Sequence, residues 1–113
     1  MHELSTTEGI LAVVLEEAER VEASRVTEIN LVLSQASDIS EEAVRFYFEL
    51  LSQGTMAEAA TLSFRTIPAQ FQCWHCGEEF QDPGPDGLCP QCDGPATAVP
   101  PEHEFYVESI DVE

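Results

Sequence analysis

Between Leu4 and Val21 the apolar residues Leu4, Leu11, Val14, Leu15, Ala18 and Val21 recur at helical spacing, which predicts an amphipathic helix packed on a core along one side. Ser5-Thr6-Thr7-Glu8 has the form of a capping box, so the helix is expected to start near Ser5 and to leave Met1 to Glu3 in an extended lead-in. After Ala23-Ser24 the period changes. Val26 to Leu33 alternates at Ile29, Leu31 and Leu33 among β-branched neighbours and predicts a strand. From Ser37 to Leu51 the helical period returns, with Asp38 or Ser40 as candidate cap, Glu41 and Glu42 in the first turn, and Val44, Phe48 and Leu51 on one face. That second helix is expected to stop at Gly54. Ala60 to Ile67 alternates Leu62 and Phe64 against Ser63 and Arg65, a second strand ended by Pro68.

The pattern then breaks. Between Phe71 and Pro101 lie all four cysteines, four of the six glycines and six of the seven prolines, with almost no helical or strand period. Beyond it, Glu104 to Val112 is strand-like again and too short to stand alone, so it is expected to return to the first sheet. The architecture this predicts is α+β: two helices on a small three-stranded mixed sheet, residues 1–70 plus 103–113, with an inserted loop-rich, zinc-ribbon-like domain over residues 71–102.

Charge narrows the classes of partner. Twenty-two acidic residues stand against four arginines and no lysine, for a formal net charge of −18. Such a chain repels phosphate backbones and anionic lipid, so neither nucleic acid nor membrane is expected as a partner. The acidity reads either as a solvated surface suited to a salty cytoplasm or as an acidic docking face. No apolar run reaches the ~20 residues of a membrane span, and no basic patch followed by an apolar stretch opens the chain, so the expectation is a soluble, cytoplasmic protein.

Cys73-x2-Cys76, twelve residues, then Cys89-x2-Cys92 is a pair of thiolate knuckles at a spacing suited to one tetrahedral ion. In each, a tight turn can point backbone amides at the sulfurs and offset the charge of four thiolates around a dication. Gly77 and Pro90 fall where such turns want unusual or fixed backbone angles. Zn2+ with a structural role is the expected occupant, since four protein ligands leave no open position for catalysis. Disulfides fit poorly without a secretion signal, whereas iron in a rubredoxin-type site uses the same thiolates. His75, inside the first knuckle, and His103, beyond the second, are expected to be exposed polar residues able to exchange with a thiolate or to titrate near neutrality.

The start, Met1-His2-Glu3, offers a second metal site. The Met1 amine, the deprotonated amide and Nδ1 of His2, and the Glu3 amide can place four nitrogens in a plane. That geometry suits Ni2+ or Cu2+ and suits Zn2+ poorly. Glu3 could add a carboxylate oxygen or orient the imidazole. A disordered end is the plainer account of these three residues taken alone. No Ser/His/Asp set, phosphate loop or uncommitted cysteine points to catalysis.

Together, Met1-His2-Glu3-Leu4-Ser5, the knuckles within Pro68 to Cys76 and Cys89 to Cys92, and the closing Phe105 to Glu113 resemble the HypA/HybF family of hydrogenase nickel-incorporation metallochaperones, over essentially the whole chain. The resemblance implies Ni2+ bound at His2 and Glu3, structural Zn2+ on Cys73, Cys76, Cys89 and Cys92, and no enzymatic activity. It further implies cooperation with the GTPase HypB and delivery of Ni2+ to the large subunit of [NiFe]-hydrogenase, with urease maturation in some members. The lack of lysine and the strong acidity depart from the usual balance and bear on the partner surface. The competing functions are a zinc-ribbon interaction module without metal transfer and a rubredoxin-like iron electron carrier.

Overall fold

The computed structural model describes residues 2–81, 87–100 and 103–113. Helix α1 spans Glu3–Arg20 and so begins two residues earlier than the capping box suggests. His2 occupies the cap position without a side-chain cap bond, and Glu3 already lies in the first turn rather than in an extended lead-in. Ser5, the expected cap, turns its hydroxyl backwards instead, and Thr7 does the same. Ser5 Oγ donates to the His2 carbonyl at 3.3 Å and Thr7 Oγ1 to the Glu3 carbonyl at 2.5 Å, the local bonding that competes with capping for these residue types.

Strand β1, Val26–Ser34, is central to the first sheet. Helix α2, Glu41–Leu51, follows it, capped by Ser40, whose Oγ accepts from the Ala43 N–H at 3.2 Å. The helix ends at Leu51, short of Gly54, whose φ of +81° places it in the turn beyond. Strand β2, Thr61–Ile67, then pairs parallel to β1, so β1, α2 and β2 form one crossover unit.

The chain now leaves for a second sheet. Strand β3, Gln70–Cys73, pairs antiparallel with both β4, Glu79–Phe80, and β5, Ala96–Val99. The cysteine segment therefore has more regular structure than its composition suggests. Its strands are too short for a period to be read, and they are held by pairing across turns and by Phe71 stacking on Phe80 at 5.9 Å. Finally β6, Phe105–Val112, returns to the first sheet antiparallel to β1, giving the order β2-β1-β6.

Both helices cover one face of that sheet. Val14, Ala18 and Phe48 from the helices meet Ile29, Leu31 and Leu62 from the strands in the buried core. The pairing of β6 skips Glu108 between Asn30↔Ser109 and Leu31↔Val107. This bulge lets Val107 and Ile110, three residues apart, both pack on the core. No helix among the described residues is long and apolar enough to cross a membrane.

Candidate metal centre

The two cysteine pairs fold into turns of the same design. In the first, the Gly77 N–H donates to the Cys73 carbonyl at 3.2 Å, and the amides of His75 and Cys76 point at Cys73 Sγ at 3.3 and 3.4 Å. In the second, the Asp93 N–H donates to the Cys89 carbonyl at 2.9 Å and the Gln91 amide points at Cys89 Sγ at 3.4 Å. Each turn ends on a residue with positive φ, Gly77 at 75° and Asp93 at 60°. The spacing pointed to Gly77 for this role. Asp93 does the same without being glycine, because aspartate tolerates the left-handed region better than most side chains.

Paired face to face, the knuckles bring all four sulfurs within 4.8 Å of one another. Cys73 and Cys92 Sγ lie 3.5 Å apart, and Cys76 and Cys89 Sγ 3.7 Å apart. A tetrahedron of ~2.3 Å metal–sulfur bonds has edges of roughly 3.8 Å, so the cage fits a zinc site. Cys73 and Cys89 are buried while Cys76 and Cys92 face solvent. His75 and His103 are both exposed, as expected, and neither joins the sulfur cluster.

The thiols differ in acidity. The Cys76 amide, opposed by desolvation and helped by the His75 amide, brings Cys73 down to about 6. For Cys92 the Gly94 amide acts downward, but the hydrogen bond to Cys73 and desolvation outweigh it and push the thiol up to about 12. Cys76 is also raised: the Glu78 amide lowers it, while desolvation and its neighbours Cys73 and Cys89 prevail. The Cys73 thiolate forms readily in the cage, while Cys76 and Cys92 keep their protons until a cation balances them.

Gly94 completes the cage and was not anticipated from the cysteine spacing. A Cβ at this position would lie 3.1 Å from Cys73 Sγ, Cys92 Sγ and His75 Cβ. The one sequence signal is a glycine two residues past the last cysteine.

His2 and Glu3 lie elsewhere, at the start of α1. His2 is exposed, and Glu3 Oε2 accepts from the Ser40 N–H at 3.2 Å, which ties the start of α1 to the cap of α2. The Met1 amine lies outside the described residues.

An α+β fold with a four-sulfur cage defines a small metal-binding protein. The chain belongs to the HypA family, whose model, described as hydrogenase/urease nickel incorporation metallochaperone, matches residues 1–112. Hydrogenase maturation factor HypA of Caldanaerobacter subterraneus is 40% identical over 114 residues, and the alignment covers both chains completely. Hydrogenase maturation factor HybF of Escherichia coli is 35% identical over 113 residues, also over both whole chains. Among solved structures, the Ni metallochaperone HypA from Helicobacter pylori superposes with a TM-score of 0.69 at 19% identity, over 99% of this chain and 97% of that one. That likeness shows the fold. The sequence resemblance thus holds: the family is one of metallochaperones rather than enzymes, and it ties the chain to hydrogenase maturation.

Proposed function

We propose that the chain carries Ni2+ on its amino-terminal end and delivers it to the large subunit of [NiFe]-hydrogenase, in cooperation with the GTPase HypB. The ligands are the Met1 amine, the His2 amide nitrogen and Nδ1, and the Glu3 amide, with the Glu3 carboxylate as a further donor or orienting group. Zn2+ sits on Cys73, Cys76, Cys89 and Cys92 and holds the second sheet together. Residues 1–70 with 103–113 act as the nickel-binding unit and 71–102 as the zinc-binding unit. In support of two units, the sheet β2-β1-β6 takes no strand from β4-β3-β5, although β3 starts at Gln70, one residue before the expected boundary.

One observation carries the nickel reading. The first rung of the α1 ladder is the Thr6 N–H on the His2 carbonyl, at 2.9 Å. The amides of residues 2 and 3 precede that ladder, so coordinating them breaks none of its bonds. The positive end of the helix dipole also favours the amidate form that square-planar Ni2+ requires. Since His2 is exposed, ligands from an acceptor can enter one at a time and draw the ion away.

A nickel titration of untagged protein tests the reading, repeated with His2→Ala and with one residue added before Met1. Both changes are expected to weaken Ni2+ binding strongly at unchanged fold and zinc content. Affinity equal to that of the unaltered chain would refute it. A colourless protein containing Zn2+ separates the proposal from an iron carrier.

A further inference from the structure

Helix α2 carries two apolar stripes. Val44, Phe48 and Leu51 face the core. Ala43, Phe46, Tyr47 and Leu50 recur at the same i, i+3, i+4, i+7 spacing on another face, where Phe46 is 58% and Leu50 53% exposed. Phe46 and Tyr47 meet edge to face with ring centres 5.4 Å apart, so the stripe is a preformed ridge. Surface helices normally bury their apolar stripe, and a second one left in water marks an interaction surface. The stripe also has a direction. Tyr47 lines a hollow together with His2 and with Leu4 and Glu8 of α1, and Leu4 is 47% exposed there.

Charge selects the occupant. Glu42 and Glu49 on α2 and Glu8 on α1 are exposed along the stripe. Arg45, the one cation in α2, is engaged with Glu41 at 3.2 Å and with the Leu62 carbonyl at 3.1 Å, over the Phe64 ring. An apolar strip with acidic margins on a chain of net charge −18 repels a second copy and an anionic membrane alike. It attracts a basic segment.

We propose that α2, with Leu4, is the docking surface for a cationic amphipathic helix of a partner protein. Apolar residues at i, i+3, i+4 and i+7 of that helix would cover Phe46, Tyr47 and Leu50, and its lysines or arginines would meet Glu8, Glu42 and Glu49. A helix seated there ends beside His2, within reach of the nickel site. This last step rests on the proposed function; the docking itself does not.

The full chain, isotope-labelled, is titrated with a synthetic leucine/lysine peptide of helical apolar period and with a scrambled isomer of the same composition. The periodic peptide is expected to bind about tenfold more tightly than its isomer, the effect of one well-buried anchor. Its resonance shifts should be confined to α2 and the first two turns of α1, which hold Leu4 and Glu8. Replacing both Phe46→Ser and Leu50→Ser, at exposed positions, should abolish the preference while circular dichroism and nickel affinity stay unchanged. A preference that survives the double variant, or shifts located elsewhere, overturns the proposal. So does a homodimer in sedimentation that the double variant dissolves, since the face would then belong to a second copy. Nickel affinity unaffected by His2→Ala would sink the nickel reading and leave the peptide result standing.

Discussion

Gly94→Ala concentrates its effect on the thiolate cage. The added carbon would sit 3.1 Å from two cysteine sulfurs and from His75 Cβ, where relaxed contacts run at about 3.5–4.0 Å. The cage must therefore open by about 0.5 Å on the side where both knuckles meet. Overpacking on this scale costs about 1–3 kcal/mol. Backbone strain adds nothing, because Gly94 is not among the glycines with positive φ. Two of the three crowded atoms are sulfurs of the cage proposed to hold the ion, so the penalty should appear as lost metal affinity. With tenfold for each ~1.4 kcal/mol, Zn2+ binding should weaken roughly 5- to 140-fold. Competition against a chromophoric chelator measures it, with far-ultraviolet dichroism as the control that α1 and α2 are intact. Zinc affinity equal to that of the unaltered chain would refute the argument that close approach is why this position is glycine.

Phe48→Ala removes a ring that is 4% exposed in the core and is expected to cost about 3–5 kcal/mol in chemical denaturation. Phe46→Ala, two residues earlier but in water, should stay within about 0.5 kcal/mol; equal losses would contradict the facing of α2 described above. Zinc loading should release protons at pH 7 from Cys76 and Cys92, which are raised, whereas Cys73, at about 6, is already mostly ionised. Each proton to be expelled makes binding weaker in acid. Affinity should therefore fall as pH drops, and fall more steeply below about pH 6, where Cys73 must also lose a proton to the ion. A calorimetric titration whose affinity does not change with pH would contradict this.

How much of the site was legible differs from residue to residue. The cysteine spacing was sufficient for the cluster, because an x2 pair closes its own tight turn and two such turns make one tetrahedron. Gly94 could not be read in the same way, since its role exists only once the knuckles face each other. The start of α1 lies before Ser5 because Ser5-Thr6-Thr7-Glu8 only imitates a capping box. The Ser5 and Thr7 hydroxyls bond backwards to His2 and Glu3, while the Glu3 carboxylate meets the Ser40 amide of a distant turn. The small second sheet was hidden for a related reason: strands of two to four residues carry no period, and only the folded backbone shows β3 pairing with both β4 and β5.

By itself the sequence determined the kind of protein. Helical and strand periods, paired cysteines and the acidic excess are local properties, and they follow from residue types at short spacing whatever the chain does later. The tertiary structure alone decided which surfaces remain in water. The α2 period already sets Val44, Phe48 and Leu51 on one face, but only α1 and the sheet cover that face and leave the second apolar stripe, with Phe46 and Leu50, in water. Burial depends on neighbours that are remote along the chain, and no local period records them.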